Sequence, residues 1–297
     1  MAYSVAIAGT TSRTTLCAQA LKDDDRFDVS LIITPEAKPI GRKKIITPNP
    51  MQVFAQKNKI ETVFVKSKID EVVKKEILSY QQPDFLLVVD FGYFIPEWLL
   101  EFPETMPLNI HPSQLPRWRG SSPGQFVLLN GEKDSAVSII KMTPKFDQGP
   151  IVAQYPFQVD PSWTQTEYYQ HSFELASQNL VPVMLGLASG QITPILQPKE
   201  SPTPLAKRLT KAAAFVDWSQ VMAAIKSNQE KAFSIERASK AYSPWPLLWT
   251  IIETAKGQKR MQIIKASLNK DGLLNLDQVK IEGMGVKPWV EVKNVVY

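Results

Sequence analysis

The stretch Pro107 to Gly120, Pro-Leu-Asn-Ile-His-Pro-Ser-Gln-Leu-Pro-Arg-Trp-Arg-Gly, constrains the fold more than any other part of the chain. It begins as a short extended run, Pro107 to His111. Side chains alternate along such a run, so Asn109 and His111 share one face. Pro112 and Pro116 cannot donate to a sheet ladder, so they stop the strand and stiffen the turn after it. Ser122-Pro123 then reads as the N-cap and first position of a helix running from 123 to about 129. A strand that delivers an amide and an imidazole to its end, followed by a rigid loop and a helix, belongs to an open α/β sheet. In such sheets ligands bind beyond the carboxyl ends of the strands. The plain alternative is a turn with a hydrogen-bonded structural histidine; the asparagine on the same face favours a site.

The chain on either side fits a βα alternation. Tyr3 to Ala8 is an apolar run ending at Gly9-Thr10-Thr11-Ser12, before a helix over 13–22. That turn is neither Gly-x-Gly-x-x-Gly nor a Walker loop, which removes the main support for a nicotinamide dehydrogenase. Phe27 to Ile33 is a second strand, with a helix over 50–58, a strand from Thr62 to Val65 and a helix over 70–80 behind it. Asp84 to Val89 is almost continuously apolar, as expected of a central parallel strand covered on both faces. Ala136 to Met142 and Ile151 to Val159 are further strands, and the loop between them carries one carboxylate, Asp147. An aspartate close to a glycine is ordinarily a turn former. Thr164-x-x-Glu167 is a capping box that opens a helix over 165–188. Its Ala176, Leu180, Val183 and Leu187 face the core at helical spacing, and Pro182 predicts a kink or a broken turn. His171 lies off that stripe and is read as a surface residue without a role.

The central segment Asn109-x-His111-x-Ser113-x-Leu115-Pro116-x-x-Arg119-Gly120, with Asp147-x-Gly149 downstream, resembles the formyltransferases that use 10-formyltetrahydrofolate. The resemblance implies a Rossmann-like, mostly parallel sheet followed by a small C-terminal β-barrel of OB type. It implies catalytic roles for Asn109, His111 and Asp147. It also implies folate contacts from Ser113, Gln114, Leu115 and Pro116, and from the loop Phe91-Gly92-Tyr93. Some positions depart from the family pattern. Thr11 stands where the family usually has the proline of Gly-Thr-Pro, Asp90 where it has a small residue, and Gln148 and Pro150 inside its usual Asp-Thr-Gly-Asp. The family chemistry needs neither a metal nor a nucleophilic Ser or Cys.

Charge separates the possible acceptors. Residues 1–198 hold 18 Lys and Arg against 20 Asp and Glu, a net of −2, whereas residues 199–297 hold 16 against 9, a net of +7. A basic second part suits a polyanionic partner. In the first part, Arg42-Lys43-Lys44 lies between glycine and proline residues in an exposed loop. Cations there gain by releasing counterions from nucleic acid. Among the formyltransferases the chain looks most like the branch that acts on initiator methionyl-tRNA, in which an inserted basic loop contacts the acceptor arm. Arg42, Lys43 and Lys44 are therefore expected to touch tRNA, as are Lys207, Arg208 and Lys211, with Lys259 and Arg260 beside them. Trp218, Trp245 and Trp249 could stack on bases, but a tryptophan beside prolines is more often core packing.

The expected organisation is a catalytic domain over 1–190, a proline-rich linker over 191–208 and an OB-like tRNA-binding domain over 209–297. Helices over 219–226 and 228–240 lead into short strands at 248–254, 259–266, 273–276 and 279–282, then a final helix or tail. The single cysteine, Cys17, excludes an internal disulfide framework and is expected to be buried. No run reaches the ~18 apolar residues of a membrane helix, and the N-terminus shows no secretory pattern. A cytoplasmic monomer is expected, without a metal and away from membranes. The same catalytic core could instead formylate an amino sugar nucleotide, which needs neither the basic loop nor the basic second part. A catalytically silent RNA-binding protein would not need Asn109, His111 and Asp147 together.

Overall fold

The computed structural model describes residues 2–40 and 43–296. The chain divides into two units. One is Met1–Arg119 with Ala136–Pro156 and Gln170–Pro204; the other is Gly120–Ser135 with Phe157–Tyr169 and Leu205–Tyr297. The second unit thus takes in two segments that precede the proline-rich stretch in sequence.

The first eleven elements follow a βα alternation with one inserted hairpin. They are β1 (Tyr3–Gly9), α1 (Ser12–Lys22), β2 (Phe27–Pro35), β3 (Lys38–Ile40), β4 (Ile45–Thr47), α2 (Pro50–Asn58), β5 (Glu61–Val65), α3 (Glu71–Ile77), β6 (Phe85–Val89), α4 (Glu97–Leu100) and β7 (Met106–His111). Then come α5 (Pro123–Asn130), β8 (Asp134–Lys141), β9 (Ile151–Gln158) and α6 (Gln165–Ala188). Seven strands form one sheet in the order β5-β2-β1-β6-β7-β8-β9. The β1, β2, β5, β6 and β7 pairings are parallel, and β8 joins β7 antiparallel. The chain winds outward from β1 through β2 to β5, then returns to β6 on the other side of β1. Between β1 and β6 the winding reverses, and in open α/β sheets such a reversal is where a crevice forms at the carboxyl ends of the strands. All five residues of β6 are buried, as a central parallel strand requires.

Local chemistry shapes the β1 end of that crevice. Thr11 caps α1: its side chain accepts from the Arg13 N–H, and Thr14 returns a bond to the cap backbone. Gly9 has no room for a side chain, because a Cβ there would lie 2.6 Å from the Val89 carbonyl and 2.1 Å from the Thr14 methyl. The segment expected to be a basic loop is the β3–β4 hairpin, with Lys43 and Lys44 exposed in its turn and Lys44 at φ 48°. Arg42 lies outside the described residues.

The second unit is a four-stranded antiparallel sheet, β10 (Leu248–Thr254), β11 (Gly257–Leu268), β12 (Leu274–Ile281) and β13 (Val286–Pro288), in that order. Helices α7 (Trp218–Lys226) and α8 (Gln229–Ala241) cover one face over a core that includes Val221, Ile235, Met261, Ile263 and Val279. Helix α5 belongs to this unit, where Phe126 and Leu129 pack against that core. Trp218 and Trp249 also pack there, as expected, whereas Trp245 is half exposed. The architecture is an open, mostly parallel α/β sheet with a separate antiparallel sheet in the C-terminal part.

Several local expectations are corrected. Helix α5 begins at Pro123 with Ser122 as its N-cap, as expected, but the Ser122 side chain makes no capping bond, and its N–H donates to the Ala206 carbonyl. Helix α6 runs unbroken through Pro182, carried by the buried Leu180, Val183 and Met184. The strands expected at 273–276 and 279–282 are the single strand β12. Asp277 and Gln278 interrupt its alternation, and an irregularity opposite them at Lys265 absorbs the shift. The expected tail is β13 followed by α9 (Trp289–Val292).

Candidate active site

The strand β7 brings Asn109 and His111 to the crevice. His111 is buried, and its Nε2 lies 3.1 Å from the Trp118 carbonyl oxygen. A carbonyl can only accept, so Nε2 carries a proton. Nδ1 faces Asp147 Oδ1 at 3.6 Å. That is longer than a hydrogen bond, a separation common for catalytic pairs before a ligand tightens them. Both ring nitrogens therefore face acceptors. The two acceptor residues share an unusual backbone: Trp118 has φ 56° and Asp147 φ 52°, in the left-handed region that residues with side chains rarely occupy. Such strain persists only where the surroundings over-determine it, and it concentrates at functional sites. The half-buried Asn109 amide makes no hydrogen bond among the described residues. An unused amide on the face of His111, beside the switch point, is a donor that a ligand can use.

The Asp147 loop is held from the proline-rich segment. The Gln197 amide nitrogen donates to the Asp147 carbonyl at 3.0 Å and to the Gly149 carbonyl at 2.7 Å. Its oxygen accepts from Arg119 Nη2 at 2.9 Å and Nε at 3.1 Å. Arg119 is buried and donates as well to the carbonyls of Pro198 at 2.7 Å and Lys199 at 3.2 Å. Burial pushes the Arg119 guanidinium pKa down, and the Asp147 charge opposes that shift. Ile195 pairs with Ile151 through two backbone bonds, which brings the segment alongside the end of the loop. At Gly149 a Cβ would fall 1.7 Å from the Lys141 carbonyl, so only glycine fits. Residues 195–203 are thus packed structure: Ser201 donates to the Pro116 carbonyl at 2.8 Å, and the Trp118 N–H to Thr203 at 2.7 Å.

The other expected residues fall into distinct settings. Ser113 is fully buried, and its hydroxyl donates to the Arg117 carbonyl at 2.7 Å, which braces the turn. Leu115 is buried, Pro116 half-buried and Gln114 exposed, and the Leu115–Pro116 peptide bond is cis. Phe91 and Tyr93 pack edge to face against one another and both against the core, with Gly92 exposed between them. The Tyr93 hydroxyl accepts from Lys38 Nζ at 3.1 Å and donates to the Lys66 carbonyl at 3.2 Å. Lys207, Arg208 and Lys211 are all exposed in the second unit. In that unit the Arg260 guanidinium lies 4.9 Å from the Trp249 ring centre.

Two departures from the family pattern meet in this structure. Asp90, at φ 49°, accepts from the Thr11 hydroxyl at 2.8 Å and pairs with Arg13 Nε at 2.5 Å. The carboxylate that breaks the pattern after β6 is therefore neutralised from the turn after β1. Neither this pairing nor the parts of Arg119 and Gln197 show in the sequence alone. Arg119 stood inside the motif, but its partners lie about 80 residues downstream in a segment with no motif of its own. Replacing Arg119 by Met would leave the Gln197 oxygen and two backbone carbonyls without their charged donor. The expected loss is about 3 kcal/mol of stability, read by urea denaturation. A loss below about 0.5 kcal/mol, the level of an ordinary surface substitution, would contradict the network.

The profile of the Formyl transferase family matches residues 1–184. The chain belongs to this family. Among its relatives is a methionyl-tRNA formyltransferase of Enterococcus faecalis, 30% identical over 224 residues, which are 75% of this chain and 68% of the relative. A second methionyl-tRNA formyltransferase, from Methylacidiphilum infernorum, is 28% identical over 84% of this chain and 75% of its own length. Two solved structures share the fold. The methionyl-tRNA formyltransferase of Clostridium thermocellum matches 95% of this chain and all of its own, at 20% identity and a TM-score of 0.59. The sugar 3N-formyltransferase WlaRD, solved with dTDP and 5-N-formyl-THF, matches 91% of this chain and 88% of its own, at 19% identity and a TM-score of 0.60.

Proposed function

We propose that the chain transfers the formyl group of 10-formyltetrahydrofolate to the free amino group of the methionyl moiety on initiator methionyl-tRNA. The observation that carries this reading is the His111 ring set between the Trp118 carbonyl and Asp147, beside an unused Asn109 amide. Relatives named for that activity support the choice of acceptor. The sugar-acting fold neighbour makes an amino sugar nucleotide the second reading, with the same donor. The exposed Lys43 and Lys44 and the +7 charge of residues 199–297 favour RNA, because a small acceptor engages neither.

The donor supplies a formyl carbon on N10 that an amine can attack. In that reaction a bond forms between the amine nitrogen and the formyl carbon, and the bond from that carbon to N10 breaks. The amine loses a proton and N10 gains one. Charge develops on the formyl oxygen in between, and donors fixed before the reaction stabilise it without reorganising. Asn109 has an amide free for this task, and His111, whose ring nitrogens already face Trp118 and Asp147, stabilises the charge electrostatically from beside it. Asp147 orients the imidazole and relays the proton between the two nitrogens, through a water. Gln114 and the backbone of Ser113 to Pro116, with the loop Phe91-Gly92-Tyr93, bind the folate. The buried Ser113 and Leu115 side chains hold that loop's shape. No metal takes part.

Lys43 and Lys44 in the turn of the β3–β4 hairpin contact the tRNA, with Arg42 beside them in sequence, and are joined by Lys207, Arg208 and Lys211. On this reading residues 1–190 form the catalytic domain, 191–208 the linker and 209–297 an OB-like domain that binds RNA, in a cytoplasmic monomer. In an assay with 10-formyltetrahydrofolate and charged initiator tRNA, His111→Ala should lower turnover at least about 100-fold, in the range of a lost oxyanion donor, and leave the folate KM within about twofold. Unchanged turnover would refute the role of His111. Lys43→Ala with Lys44→Ala should raise the tRNA KM and flatten its dependence on salt by about one contact per lysine, with kcat unchanged. An unaltered salt slope would remove the hairpin from the RNA interface.

A further inference from the structure

The groups around His111 close into a ring. From Nε2 the path runs through the Trp118 carbonyl to the next residue, Arg119, and from the Arg119 guanidinium to Gln197. It then passes from the Gln197 amide to the Asp147 backbone, and from the Asp147 carboxylate back to Nδ1. Gln197 is the one side chain in this ring that lies outside the central motif and the Asp147 loop. Each half of its amide has a separate task. The nitrogen draws two carbonyls of one loop together, and the oxygen fixes the arginine that follows Trp118. The two residues with left-handed backbone, Trp118 and Asp147, are thereby linked to one another through Arg119 and Gln197.

We propose that Gln197 is a positioning residue for formyl transfer, which sets the distance between Asp147 and His111 by holding both acceptors of the imidazole through one amide. The proposal rests on the catalytic reading of His111 and Asp147. Gln197 itself touches no reacting atom. Its effect belongs to turnover, because an error of about 1 Å in catalytic geometry costs up to about 100-fold in rate. Folate affinity is unaffected, since no group assigned to the folate bonds to the Gln197 side chain.

Three variants test it: Gln197→Met, which keeps the length and loses both hydrogen-bonding halves; Gln197→Glu, which keeps the acceptor for Arg119 and loses the amide donor; and Asp147→Ala. Expected for both Gln197 variants is a fall in kcat of about tenfold or more with the folate KM within twofold. In the Asp147→Ala background, Gln197→Met should add less than about twofold. An equal further fall there would show that Gln197 acts elsewhere and overturn the proposal, as would wild-type kcat in Gln197→Glu. A second readout needs no acceptor. The chain has two histidines, His111 and His171, so ring-nitrogen NMR resolves each. In Gln197→Glu the His111 signals should move towards those of Asp147→Ala while the His171 signals stay. Unmoved His111 signals overturn the proposal even if the acceptor is not tRNA. Full activity in Asp147→Ala, by contrast, would sink the catalytic reading itself.

Discussion

The structure depends on a buried imidazole that has an acceptor at each nitrogen. A polar ring taken out of water must have its hydrogen-bonding groups met, or the desolvation cost remains. Here the Trp118 carbonyl meets Nε2, and Asp147 waits 3.6 Å from Nδ1. Much of the surrounding geometry follows from supplying those two acceptors. Two residues take left-handed backbone, Gly149 must lack a side chain, and a buried arginine and a glutamine hold the loops together. The sheet contributes the remainder: the winding reverses between β1 and β6, the place where open α/β sheets bind ligands, and β7 is the strand next to β6.

The same logic explains how substitutions that break a family pattern are absorbed. A partly buried carboxylate at residue 90 would be costly if it stood alone. Thr11, the other departure beside it, supplies a hydroxyl, and Arg13 supplies a compensating charge from the first turn of α1. Asp90 is thus paired in the fold with residues 79 and 77 positions away in the sequence.

Legibility in the sequence tracked the range of the interaction. The strand Met106–His111 and its two polar residues were readable, because alternation and proline placement are local rules. The apolar run of β6, the cap at Thr164 and the absence of a phosphate loop after β1 were readable for the same reason. The resemblance supplied the pairing of His111 with Asp147, which no local pattern could have given. What failed to show was set by distant partners. Pro182 was overridden by the buried residues around it, the Ser122 side chain leaves the cap bond unmade, and the contacts of the proline-rich segment with the Asp147 loop did not show because Gln197 carries no motif. Its tie to Asp147 exists only once the chain has folded, and the hairpin that carries Lys43 and Lys44 was hidden by its composition of loop-forming residues.

The most direct test is a crystal structure of this chain with 5-formyltetrahydrofolate, a stable analogue of the donor. The predicted result is a pterin against the Phe91–Tyr93 loop and a folate lying along the carboxyl ends of β6 and β7. The Asn109 amide should then be hydrogen-bonded to the ligand, at about 3 Å, and the His111–Asp147 separation should shorten. Folate bound elsewhere, or an Asn109 amide still without a partner in the loaded crystal, would contradict the assignment of this crevice as the site of formyl transfer.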